Sequence, residues 1–155
     1  MDSSENDRLL ESLYKYITQE LHFPCVIEVI PGLRGGFWDL PADGAAAYSD
    51  NGIPQICLSP AYRTWTSERL QYVVLHELSH HKLGHVHKTA HATAQRGIVY
   101  PQSKSLIDYT KSIEAHADAM AQVYVKRFAK WRGKQLLADL QAQVLELQQL
   151  LGIRR

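Results

Sequence analysis

Cysteine is scarce in this 155-residue chain: there are two, Cys25 and Cys57, far apart and in no CxxC pair. Each is flanked by apolar residues, so they read as reduced thiols buried in strands, with a disulfide between them as the alternative. An excess of charge of one sign is also missing. Seventeen Lys+Arg against sixteen Asp+Glu leave a formal net charge of +1. That balance argues against the broad electrostatic attraction behind nucleic-acid or anionic-membrane binding, and neither partner is expected. No apolar run approaches the length of a membrane span. The start, MDSSENDRLL, is acidic and polar rather than basic then apolar, so no secretory signal is expected. These absences together predict a cytoplasmic protein.

What is present suits one domain: 45% of the residues are hydrophobic, enough for a core of ordinary size. Leu9, Leu10, Leu13, Tyr14, Ile17 and Leu21 recur at helical spacing and predict an amphipathic helix over 5–21. Residues 25–30 read as a strand ended by Pro31-Gly32. Short strands are predicted at 36–39, 45–48 and 55–58, separated by Gly- and Asp-rich turns. From Thr66 the pattern turns helical up to Gly84, a natural stop. A second long helix is predicted from about Ser103 to Arg132, ended by Gly133, and a last one over about 134–151. The fold class is therefore α+β, a small mostly antiparallel sheet packed with several helices.

The helix beginning near Thr66 carries His76-Glu77-Leu78-Ser79-His80. Residues four apart project from one helix face, so His76 and His80 can hold one metal ion without distorting the backbone. Glu77, beside the first of them, can take a proton from a water that zinc activates. Chance is the competing explanation, because the chain has eight histidines. His81/His85 and His87/His91 are also four apart, yet neither pair has a Glu after its first member.

Catalytic zinc keeps three protein ligands and one open position. The extended metzincin pattern would put Gly and His seven and ten residues after the first His. Leu83 and Val86 stand there instead, and Gly84, His85 and His87 each miss the register by one. Glu114 is the better candidate, in Glu114-Ala115-His116-Ala117-Asp118-Ala119-Met120-Ala121, where alanines permit close packing against another helix. Asp118 shares its face and can accept a hydrogen bond from the non-ligating nitrogen of His76 or His80. The competing reading is a solvated acidic face.

HELSH after an apolar stretch, followed by ExxAD on a later helix, resembles the ImmA/IrrE-type metallopeptidases of the gluzincin group. Ile56-Cys57-Leu58-Ser59-Pro60 and the run Ser67–Leu75 are similar to that family's strand-and-helix entry, and the likeness spans roughly 20–130. It implies a zincin-like domain over 1–133, with His76, His80 and Glu114 on Zn2+ and Glu77 as general base. It also implies a protein substrate, typically a helix-turn-helix transcriptional repressor.

Peptide hydrolysis needs oxyanion stabilisation besides the metal. Tyr109, His116, His91 and Tyr100 are candidates that spacing does not separate, and packing or exposure competes for each. His81, His85 and His87 read as surface or supporting residues. Trp38, Trp65 and Trp131 read as core or rim packing. Leu137, Leu140, Val144, Leu147 and Leu151 follow the 3-4 spacing of a coiled coil. The segment 134–155 is expected to belong to the same domain with this stripe packed back on it, self- or partner association through 134–151 being the alternative. A different functional class also fits: a metal-binding regulatory or interaction module without proteolysis.

Overall fold

The computed structural model describes residues 3–35, 40–86 and 104–152; the expected strand at 36–39, with Trp38, and His87, His91 and Tyr100 lie outside them. Helix α1 (Ser3–Lys15) runs into a π-helical turn, Tyr16–Glu20. Strands β1 (Val26–Val29), β2 (Arg34–Gly35), β3 (Leu40–Pro41), β4 (Gly44–Tyr48) and β5 (Pro54–Leu58) follow. A 3-10 turn, Pro60–Thr64, leads to α2 (Ser67–Lys82), and α3 (Lys104–Leu150) completes the described chain. The class is α+β.

Strand order is β1-β5-β4, parallel between β1 and β5 and antiparallel between β5 and β4, while β2 and β3 form a separate antiparallel pair. Central β5 is covered on both faces. Ile56 and Leu58 join Leu13, Ile17, Val74 and Leu78 in the main core, and Cys57 packs with Leu33 and Ala47 on the other side. Both cysteines are free and buried. Burial pushes the Cys25 thiol up to about 11 and Cys57 up to about 12, so both stay protonated at neutral pH.

Two local devices set the ends of α2. Thr66 accepts a hydrogen bond from the Arg69 amide at 3.2 Å, satisfying a donor that the first turn leaves free. At the other end Gly84 adopts φ +73°, its amide donating to His81 O and the His85 amide to His80 O. This paired closure needs a left-handed residue, which glycine supplies without steric cost. Fully buried Asn6 ties α1 to the turn before α2, its Nδ2 donating to the carbonyls of Tyr62 and Trp65, each at 2.9 Å.

Two expectations need correction at the C-terminal end. Gly133 does not stop the second long helix: α3 is one helix of 47 residues running through it to Leu150. A single interior glycine costs a helix only about 1 kcal/mol, and the Leu- and Gln-rich sequence after it favours continuation. The left-handed stop comes at Gly152, φ +69°, with its amide on Gln149 O. Nor does the heptad stripe pack back on the domain. Among the described residues Trp131 still touches the body, its ring 5.4 Å from that of Tyr16, and the leucines beyond it stand in solvent, while Gln148 keeps its Oε1 buried.

Candidate metal centre

The site lies between α2 and α3, which approach closely because Ala117 and Ala121, both fully buried, occupy the contact face of α3. That face also carries Glu114 and Asp118. His76 Nε2 stands 3.1 Å from His80 Nε2 and 3.0 Å from Glu114 Oε2, and His80 Nε2 stands 3.3 Å from Glu114 Oε1. Ligand atoms of these three residues all lie within 4.8 Å of one another. Donors bound tetrahedrally at about 2.0–2.1 Å stand roughly 3.3 Å apart, so the three separations suit one small cation such as zinc.

Proton placement supports a cation. His76 Nδ1 lies 2.9 Å from Asp118 Oδ1, and a carboxylate there needs the ring to donate from Nδ1. Neutral His76 then turns its Nε2 lone pair toward the Glu114 carboxylate, two acceptors at 3.0 Å. Either the ring is protonated or a cation fills the gap. Burial works against the imidazolium, but Glu114, Glu77 and Asp118 overcome it and raise the His76 pKa. Glu114 is correspondingly held well below the usual carboxylate range by its hydrogen bonds with His76 and His80. These acidic groups supply the field that a divalent ion would answer.

Glu77 faces another neighbour, strand β4. A Cβ added at Gly44 would lie 3.2 Å from Glu77 Cγ and 2.7 Å from Val73 Cγ1, so the absent side chain lets β4 approach α2 beside the carboxylate. Burial is the main influence on Glu77, pushing its pKa up to about 7; His80 and His76 pull it down and Glu114 adds to the rise.

The structure thus brings together His76, His80, Glu114, Asp118 and Glu77. Tyr109 is 59 % exposed. His116 lies against the His85 ring, at 5.7 Å between centroids, rather than against the three donors. His85 supports the site: its Nδ1 is 3.1 Å from His80 Nδ1, placed there by the Gly84 turn. Burial lowers its pKa, and His80 and His116 add to the effect. His81 is no surface residue. It is buried, with Nε2 donating to Gln55 O of β5 at 2.9 Å, and burial lowers its pKa. Since His81 turns to the sheet and His85 to His80, the two share no metal position.

Two contributors escaped the sequence reading. Tyr72 Oη donates to Asp118 and lies 3.4 Å from His76 Nδ1. Burial, then the hydrogen bond to Asp118, raises its pKa, so the phenol remains a donor. Its position four residues before His76, on the same helix face, was the available signal. Gly44 carried none, because its role depends on how closely a strand approaches a helix.

The chain matches no protein-family model, no curated protein and no solved structure.

Proposed function

We propose that this chain is a zinc-dependent endopeptidase of the ImmA/IrrE type, acting in the cytoplasm on a specific protein, a helix-turn-helix transcriptional repressor. The observation that carries this reading is the convergence of His76, His80 and Glu114 on one point, with Glu77 on the adjoining position of α2. When bound, zinc supplies Lewis acidity, making a neighbouring water a better acid and polarising a scissile carbonyl. Glu77 accepts the proton of the attacking water and delivers it to the leaving amine. Burial raises the Glu77 pKa in the metal-free site, and a bound cation would draw it down again toward the carboxylate that accepts a proton. Asp118, held by Tyr72, keeps the His76 ring turned so that Nε2 faces the centre.

Two measurements test this. Elemental analysis of purified protein should find one equivalent of zinc, lost in His80→Ala and Glu114→Ala. Mass spectrometry of new protein termini in cells should find a protein cut by the wild type and spared by Glu77→Gln. Zinc without any such protein would leave a non-proteolytic metal-binding module. No zinc at all would sink the enzyme.

A further inference from the structure

The final part of α3 lies beyond the metal centre and carries an apolar stripe that the centre does not use. Beyond Trp131 the helix continues to Leu150, about 28 Å at ~1.5 Å per residue. Leu137, Val144 and Leu151 occupy the a positions of a heptad and Leu140 and Leu147 the d positions, while Leu136 and Leu150 stand at g. Exposed by 42–75 %, these seven residues line one side of the helix as a continuous apolar stripe, the kind of patch that marks a contact surface.

The positions flanking the seam say what covers it. Among the e and g residues of 133–151, Leu136, Gln141, Gln143, Gln148 and Leu150 are uncharged, and Lys134, at an e position, is the one charge. Charges there normally choose the partner. In the antiparallel register Lys134 faces Gln148 of the second copy, so an identical helix meets no like-charge repulsion across the seam. Direction follows from the two g leucines. A parallel pair sets g against the partner's next e, putting Leu136 against Gln141. An antiparallel pair sets g against g, so Leu136 meets Leu150 of the second copy, and Gln143 meets its own equivalent at the two-fold axis. The same register pairs Leu137 with Leu147, Leu140 with Val144, and Leu151 with Gly133 of the second copy. Gly133, where an added Cβ would meet nothing within 4 Å, then leaves room for Leu151 where the partner's body begins.

We propose that residues 133–151 form an antiparallel two-stranded coil with the same segment of a second copy, making the protein an isologous dimer with its metal centres at opposite ends. Light scattering on the full chain should give twice the 17.6 kDa of one chain. Leu140→Glu with Leu147→Glu should give the monomer mass with unchanged circular dichroism, since both side chains are solvent-exposed. A nitroxide on Gln122→Cys, an exposed position on α3, reads direction, the native cysteines being buried. Forty residues of axial separation at ~1.5 Å each place the two labels roughly 60 Å apart in the antiparallel dimer. A parallel dimer would hold them under about 30 Å. A wild type that stays monomeric at 100 μM, a dimer that survives the double substitution, or the shorter distance would each overturn the proposal.

Discussion

His76 Nδ1 and Asp118 Oδ1 stand 2.9 Å apart across two helices, while the other nitrogen of the same ring faces Glu114 at 3.0 Å. One imidazole is thus gripped from both sides by carboxylates four residues apart on α3. The Asp118 contact fixes which nitrogen is free, and ligand basicity rises with it. Asp118→Asn should therefore weaken zinc binding by about 10–100-fold without emptying the site at saturating metal. Tyr72→Phe, which removes only the donor to Asp118, should act in the same direction and more weakly. Competition with a chromogenic chelator measures both, and an Asp118→Asn affinity equal to wild type would remove Asp118 from the centre.

Metal removal should also register as lost stability. A ligand that binds only the folded state stabilises it by about 4 kcal/mol at a thousand times its dissociation constant. For a chain of this length that is a rise in Tm of roughly 10 °C. Zinc added to chelated protein should produce such a rise in the wild type and none in His80→Ala or Glu114→Ala. An equal rise in all three, followed by differential scanning fluorimetry, would place the ion elsewhere.

Glu77 gives a pH dependence whose sign can be worked out. In the metal-free protein its folded pKa, about 7, lies above the ordinary 4.5 because burial disfavours the carboxylate. The folded state binds the extra proton, so this contribution is fully present below about pH 4.5 and is lost as pH rises through 7. Glu77→Gln is insensitive to that loss. In chelator the variant should be more stable than wild type at pH 8, by up to roughly 3 kcal/mol for a shift of this size, with the gap closing toward pH 5. Denaturant melts at the two pH values check this, and a gap that widened toward pH 5 would contradict it.

Much of the centre was legible because helical spacing is local. His76 and His80, and Glu114 and Asp118, each lie four apart, and four apart on a helix means one face. That the two faces would meet was signalled only by the alanines at 117 and 121. What spacing missed depends on tertiary approach. His81 is one residue past His80 and so points away from the centre, into β5, where a buried imidazole finds the Gln55 carbonyl. His85 returns to His80 through the left-handed turn at Gly84, a geometry that four-residue counting ignores. At Gly133 the reading gave a breaker more weight than its helix-forming neighbours allow, and the correction joins two expected helices into one.

Gly44 offers the sharpest separation of positioning from metal binding. The methyl of Gly44→Ala would arrive 2.7 Å from Val73 Cγ1 and 3.2 Å from Glu77 Cγ. Val73 is β-branched and stiff at χ1, so it yields little and β4 must back away from α2. With β4 withdrawn, Glu77 loses the backbone wall beside its Cγ and is free to shift, whereas His76 and His80 are held from the opposite side by α3. Misplacing a reacting group by about 1 Å can cost around 100-fold in rate. Gly44→Ala should therefore keep a full equivalent of zinc while cleavage slows by about 10–100-fold. Adding Val73→Ala removes the nearer clash and should restore much of the rate, a coupling that a general loss of stability would not produce. Zinc content and cleavage rate measured on the single and double variants decide it. A single variant that lost zinc in proportion to activity would show that Gly44 supports the whole centre rather than Glu77.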